Sequence, residues 1–124
     1  GRFWAYAPTF NGGINAVAGD ITGNSNNEII VTPMTKGGPH VRVFDYQGEL
    51  LNDFWAYAQT LRGGYIPVLM DIDQDGSNEI VTAPGVGFGP HLRAFKYDGS
   101  LVSGFFTHYS KFRGGINATN IPTL

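Results

Sequence analysis

Apolar residues along this chain fall into short runs of five to nine residues, separated by clusters of Gly, Pro, Asp and Asn. Short β-branched or alternating runs between such turn residues are typical of β-strands. The same four runs occur twice, in the same order. The pattern predicts strands at residues 14–21, 28–32, 40–44 and 50–57, and again at 65–72, 79–83, 91–95 and 101–109.

The runs differ in their expected burial. Residues 14–21 and 65–72 are largely apolar, which predicts inner strands that are buried on both faces. Residues 40–44 ("HVRVF") and 91–95 ("HLRAF") alternate between polar and apolar side chains. Alternation places the polar side chains on one face of the strand and the apolar ones on the other.

The runs return because the whole sequence repeats with a period of 51 residues. Without a gap, 23 of the 51 aligned columns are identical between the two full copies. A fixed period of this length is the signature of a repeat architecture. We therefore treat residues 1–124 as a single repeat segment, with copies at 3–53 and 54–104 and a partial third copy at 105–124.

Composition narrows the class of protein. The 42% apolar content is compatible with a packed core, whereas 18 Gly and 7 Pro disfavour helices. An all-β fold follows. The net charge of -2 provides no basic surface for nucleic acid, and no run approaches the roughly 20 apolar residues of a membrane-spanning helix. We expect neither nucleic-acid binding nor membrane insertion.

Four short antiparallel strands in a unit of about 50 residues are typical of a β-propeller blade, with a solenoid of shorter turns as the main rival. Two blades would be complete, at about 14–57 and 65–109, flanked by an outer strand at 3–6 and an inner strand from about 115. Propellers close with about 4 to 8 blades. The partners would be the remaining blades, in a longer chain, which we favour, or in a homo-oligomer.

The segment "DIDQDGSNE" (71–79) connects the first two strands of the second copy and has the spacing of a calcium loop. Calcium takes 6 to 8 oxygen ligands, which loops supply from alternating side chains and a backbone carbonyl. Its Gly76 permits a sharp turn. The predicted ligands are Asp71, Asp73, Asp75, the Ser77 carbonyl and Glu79. Because these carboxylates repel one another, a divalent cation is the simplest way to relieve the repulsion. The alternative is a solvated acidic turn without metal.

The corresponding segment "DITGNSNNE" (20–28) keeps only the first and last carboxylates. We predict weaker metal binding here, through Asp20, Asn24, Asn26 and Glu28. In the alternative interpretation, Asn and Gly hold the same turn through their own hydrogen bonds and left-handed conformations.

Two further sets of side chains recur at fixed positions. His40 and Arg42 return as His91 and Arg93, and a pair present in every copy is more readily a scaffold contact than a catalytic site. The aromatic residues of "FWAY" at 3–6 and 54–57 are predicted to pack between blades, with sugar stacking as the alternative. Within these residues we find no unrepeated cluster of acid, base or metal ligands, so we do not expect an enzyme.

The motifs "GGINAVAGD", "DIDQDGSNEIVTAPG", "GGPHVRVFDYQG" and the closing "FWAY" resemble the FG-GAP or VCBS-type repeat over nearly the whole chain. The resemblance implies a β-propeller with aspartate-rich calcium loops, as in the integrin α-subunit head and many secreted bacterial proteins. It does not imply one function, because such propellers serve adhesion, lectin and enzyme-associated roles.

We therefore expect a non-enzymatic, calcium-stabilised propeller segment that serves as a binding or adhesion module, with a protein or a glycan as its ligand. The alternatives are a carbohydrate-binding lectin or the propeller scaffold of a carbohydrate-active enzyme, and a purely structural or engineered assembly. The predicted location is secreted or on the cell surface. The chain lacks an initiating Met, which favours a mature, trimmed or excised segment; any secretion signal would then have been removed before residue 1.

Overall fold

The computed structural model describes residues 2–85 and 91–106, which form an all-β structure without helices. Eight strands make two four-stranded antiparallel sheets. The first sheet contains β1 (Ile14–Gly19), β2 (Glu28–Pro33), β3 (His40–Phe44) and β4 (Leu50–Trp55). The second sheet contains β5 (Tyr65–Met70), β6 (Glu79–Pro84), β7 (His91–Phe95) and β8 (Leu101–Phe106).

The strands lie where the apolar runs predict them. β3 and β7 have the predicted bounds, and β4 ends two residues early, at Trp55. β1 and β5 also end two residues early, because Asp20 and Asp71 already belong to the loops that follow. β2 and β6 each extend by one residue to include Pro33 and Pro84. Proline is tolerated at the end of a strand because no further ladder hydrogen bond is required of it.

Both sheets have the same topology and register. Their strands follow the chain order, β1-β2-β3-β4 and β5-β6-β7-β8. An irregularity interrupts β3 between Val43 and Phe44 and recurs in β7 between Ala94 and Phe95. The second copy of the sequence therefore reproduces the local structure of the first.

The two sheets pack face to face through apolar side chains. Ile30 and Val43 of the first sheet belong to one buried cluster with Leu69, Ile80 and Phe95 of the second. Full burial of an aliphatic or aromatic side chain of this size contributes about 1.5 to 3 kcal/mol. The interface between the sheets is thus the main hydrophobic core of the described residues.

The prediction that both inner strands are buried on both faces is right for β5 and wrong for β1. In β1 every second residue, beginning with Ile14, is exposed, and Ile14 retains 43% of its accessible surface. The reason is that the first sheet covers one face of β5, whereas no sheet among the described residues covers the corresponding face of β1. We call this surface of the first sheet the open face; it carries the exposed Ile14, Ala16 and Ala18 and the half-buried Ile29, whereas Val31 on the same face is buried.

The outer strand predicted at residues 3–6 is also not formed, because no strand of the described residues pairs with this segment. Nevertheless, the segment packs against the first sheet. The end of β4 and the residues that follow it pack against the second sheet in the corresponding way. The ring centroids of Phe3 and Phe44 lie 4.9 Å apart, as do those of Phe54 and Phe95.

Tyr6 and Tyr57 make equivalent hydrogen bonds to the first and the second sheet. The Tyr6 hydroxyl donates to the carbonyl of His40 at 2.6 Å, and the Tyr57 hydroxyl donates to the carbonyl of His91 at 2.6 Å. Burial raises the pKa of Tyr57 to about 12, so the hydroxyl remains a donor well into alkaline pH. Tyr57 follows β4 of the first sheet, so its hydrogen bond joins the two sheets.

Among the described residues, none forms a helix with the length and apolar character needed to cross a membrane. The predicted inner strand from about residue 115, the last three residues of the strand predicted at 101–109, and the partial third copy beyond residue 106 lie outside the described residues.

Replacing Tyr57 by Phe should destabilise the protein by roughly 1 to 2 kcal/mol, because the carbonyls of Thr82 and His91 lose their shared donor. Chemical denaturation measures this change. Tyr46→Phe is the matched control, since the Tyr46 side chain is exposed. Equal stabilities of the two variants would contradict the assigned role of Tyr57.

Candidate metal site

The loops that join the first two strands of each sheet have the same backbone conformation. Left-handed residues occur at Gly23 (φ 82°) and Ser25 (φ 68°) in the first loop. The corresponding residues of the second loop, Gln74 (φ 58°) and Gly76 (φ 93°), are left-handed as well. Each loop therefore has one glycine and one other residue at the two positions that require this conformation.

A buried glutamate anchors each loop to its sheet. Glu79 is 1% exposed, and its Oε1 accepts hydrogen bonds from the backbone N–H groups of Ile72 at 2.8 Å and Asp73 at 3.3 Å. Desolvation raises the pKa of Glu79. The same two bonds are made to Glu28 Oε1 by Ile21 and Thr22, at 2.8 and 3.2 Å.

The first aspartate of each loop accepts hydrogen bonds from the far side of the turn. Asp71 accepts from the N–H groups of Asp75 at 3.0 Å and Gly76 at 2.9 Å. Asp20 accepts from the N–H groups of Gly23, Asn24 and Ser25. Desolvation is the largest single contribution and acts to raise the pKa of Asp20, but the N–H groups together outweigh it and hold this pKa below its usual range. The turn is thus closed by internal hydrogen bonds in both copies.

The second loop brings its four predicted carboxylates together. Oxygens of Asp71, Asp73, Asp75 and Glu79 all lie within 4.8 Å of one another. Calcium binds oxygen at about 2.3 to 2.6 Å, so ligands on opposite sides of one ion are separated by up to about 5 Å. The carboxylates therefore fit around a single cation. That the Ser77 carbonyl completes the ligand set stays a prediction.

A side chain that sequence reasoning missed also enters this cluster. Lys96 Nζ, from the turn after β7, lies 2.9 Å from Asp73 Oδ2, 3.2 Å from Asp75 Oδ2 and 3.5 Å from Glu79 Oε2. The hydrogen bond from Lys96 holds the pKa of Asp73 below its usual range, and the two aspartates raise the pKa of Lys96. The repulsion among the carboxylates is therefore partly relieved by the protein itself.

A signal for this contact exists in the sequence. Aligning the two copies places Lys96 opposite Asp45, a reversal of charge. The second loop gains two carboxylates where the turn gains a lysine, which indicates an ion pair between them. This inference requires knowing that the turn after the third strand reaches the loop.

The first loop offers a poorer cation site. Asp20 and Glu28 are its only carboxylates, and Asn24 Oδ1 accepts the N–H of Asn26 at 2.9 Å within the turn. Thr22 Oγ1 is buried without a hydrogen-bond partner in the part of the chain described. Metal binding at Asp20, Asn24, Asn26 and Glu28 stays a prediction.

The recurring arginines make structural contacts. Arg93 Nη1 donates to the Ala56 carbonyl at 2.8 Å, which links the second sheet to the residues after β4. Arg42 Nη1 donates to the Ala5 carbonyl at 2.7 Å in the same way. These bonds fit the interpretation of the arginines as scaffold residues.

The histidines differ between the copies. His40 Nε2 lies 2.7 Å from Asp53 Oδ2, and the His40 ring stacks on Trp55 with centroids 4.6 Å apart. Asp53 has no counterpart, because Gly104 occupies the corresponding position. Burial, with a further contribution from Arg93, lowers the pKa of His91.

No protein-family model matches the chain, and no match was found among curated proteins or solved structures.

Replacing Glu79 by Ala should destabilise the protein by about 2 to 3 kcal/mol even in a chelator, because two backbone N–H groups lose their acceptor. Glu28→Ala should have a similar effect. Denaturant titration in EDTA measures both, with the exposed Glu49→Ala as the control. If Glu28→Ala behaved like Glu49→Ala, the buried glutamates would not share one structural role.

Proposed function

We propose that this chain is a calcium-stabilised segment of a β-propeller that serves as a non-enzymatic binding or adhesion module outside the cell. The observation that carries the proposal is the way in which the two sheets pack. One face of the first sheet covers a face of the second, and the covered face corresponds in sequence to the open face of the first sheet.

The correspondence is residue by residue. Ile14 and Ala16 of the open face align with Tyr65 and Pro67 of β5. Tyr65 is 1% exposed and Pro67 is fully buried beneath the first sheet, whereas Ile14 and Ala16 are exposed. The open face is therefore the same kind of packing surface without its cover. A four-stranded sheet like the first is the cover that this surface fits.

The sheet interface also indicates the polar contacts such a cover makes. Asn15 Nδ2 and Thr32 Oγ1 of the first sheet each donate to the Tyr65 carbonyl at 2.6 Å. Repetition of this packing, with each sheet on the next, generates a ring of blades. We place the further blades in a longer chain or in other copies of this chain.

The resemblance to the FG-GAP or VCBS-type repeat supports both the propeller and the choice of cation. Hard carboxylate oxygens on a short loop suit calcium, and extracellular calcium-binding modules need only dissociation constants of about 10⁻⁴ to 10⁻³ M. A secreted or cell-surface location supplies calcium in this range. The fully carboxylated loop at residues 71–79 is the main site.

The role as a binding module rather than an enzyme rests on how the recurring polar residues are used. Arg93 and Tyr57 bond to backbone carbonyls between the sheets, so they act in the scaffold. Specificity for a protein or a glycan then belongs to loops at the ends of the strands, which vary at little cost to the packing.

Calcium should raise the thermal midpoint of the protein relative to EDTA, because an ion that binds the folded state at 100 times its dissociation constant adds about 2.7 kcal/mol. Asp73→Asn should remove most of this shift. The matched control is Thr22→Ala, at the corresponding position of the first loop, which should keep it. An unchanged midpoint of the original protein in calcium would refute the calcium part of the proposal.

The open face should bring copies of this chain together at high concentration. Ile14→Lys should reduce the association seen by sedimentation velocity with little change in thermal midpoint, since Ile14 is exposed within one chain. Gln47→Lys, a change of the same charge on an exposed turn, is the control. A chain that stays monomeric and binds no hydrophobic dye at any concentration would argue against the open face as a packing surface.

A further inference from the structure

Lys96 occupies the position of a cation in the acidic loop. Its ammonium lies within 3.5 Å of oxygens from Asp73, Asp75 and Glu79. The lysine does not belong to the loop itself but follows Phe95, the last residue of β7, which pairs with Ile80 of β6. The register of β6 and β7 therefore positions the Lys96 ammonium at the loop.

The position of Lys96 matters because the ammonium lies beside the carboxylate of Glu79. This carboxylate is almost completely buried, and a buried charge needs a partner because its transfer from water is costly. Among the ion pairs of the described residues, those that reach this cluster all come from Lys96. In the absence of metal, Lys96 is thus the charge that balances the loop.

The charge at the position of Lys96 differs between the two copies, and the charges of the loop residues differ with it. Where the first copy has Asp45, the second has Lys96, a change of two charges. The second loop in turn gains two carboxylates, Asp73 and Asp75, at positions that are neutral in the first. The loop and the turn after the third strand (20–28 with 45–49, and 71–79 with 96–100) therefore carry a formal charge of -4 in each copy: four carboxylates in the first, and five carboxylates with one ammonium in the second.

Asp45 has a different task in the first copy. Its Oδ1 accepts the N–H groups of Gln47 and Glu49 at 2.9 Å, so it closes its own turn rather than reaching the loop. The lysine in the second copy is therefore a specific addition that accompanies the added aspartates.

We propose that Lys96 is the resident counter-cation of the loop at residues 71–79, which it holds closed without metal, and that a divalent cation must displace it to bind. This inference rests on the proposed calcium site and identifies the residue that sets its affinity. An ammonium 2.9 Å from Asp73 and an ion at calcium distances from the same oxygens would occupy one space and repel each other. The Lys96 side chain is 40% exposed, so it can withdraw into solvent.

Calcium titration by calorimetry on the full chain tests the competition. Lys96→Gln should bind calcium about ten-fold or more tightly than the original protein, because the competing positive charge is removed. Lys36→Gln removes an equal charge from another turn and should leave the affinity unchanged. Equal affinities of the original protein and Lys96→Gln would overturn the competition and leave the proposed calcium function standing.

A metal-free arm in EDTA tests the counter-cation role separately. Lys96→Gln should lower the thermal midpoint, and it should lower it much less when Asp73 and Asp75 are already Asn, because the charges it balances are gone. Equal effects in both backgrounds would overturn this role. If no variant binds calcium, the calcium function and the competition are both wrong, and the EDTA measurements alone decide whether Lys96 balances the loop.

Discussion

The packing of one sheet face on the next holds the two halves of this structure together. A four-stranded sheet with apolar residues on both faces is stable only when both faces are covered. Within the described residues the first sheet covers one face of the second through Ile30 and Val43. The Tyr57 hydroxyl and the Arg93 guanidinium reinforce the same interface from its outer side. What covers the open face then becomes the main question about function.

The loops obey a second constraint, which is independent of metal. In both copies an aspartate and a buried glutamate accept backbone N–H groups and close the same turn. The second copy adds Asp73, Asp75 and Lys96 to this frame. Structure and cation binding are therefore separable: the turn joins two strands in each sheet, whereas the added carboxylates form a cluster that could hold a metal ion, and we propose that Lys96 sets the affinity of that cluster.

The sequence was sufficient for the features that depend on local pattern. The 51-residue period and the β-branched runs located every strand from β1 to β8, and alternating carboxylates located the acidic cluster. The sequence pattern did not predict features that depend on which neighbouring sheet, strand or side chain a residue contacts. The exposure of Ile14 depends on whether a sheet covers it, no strand of the described residues pairs with the segment at 3–6, and Lys96 reaches the loop through the register of β6 and β7.

An experimental structure of the assembled protein, determined in calcium, would show directly what packs on the open face. We expect a further four-stranded sheet there, with its inner strand beside β1 as β1 lies beside β5. We also expect an ion among Asp71, Asp73, Asp75 and Glu79, with Lys96 withdrawn. An open face in contact with solvent around Ile14 and Ala16 would contradict the claim that these sheets are made to stack.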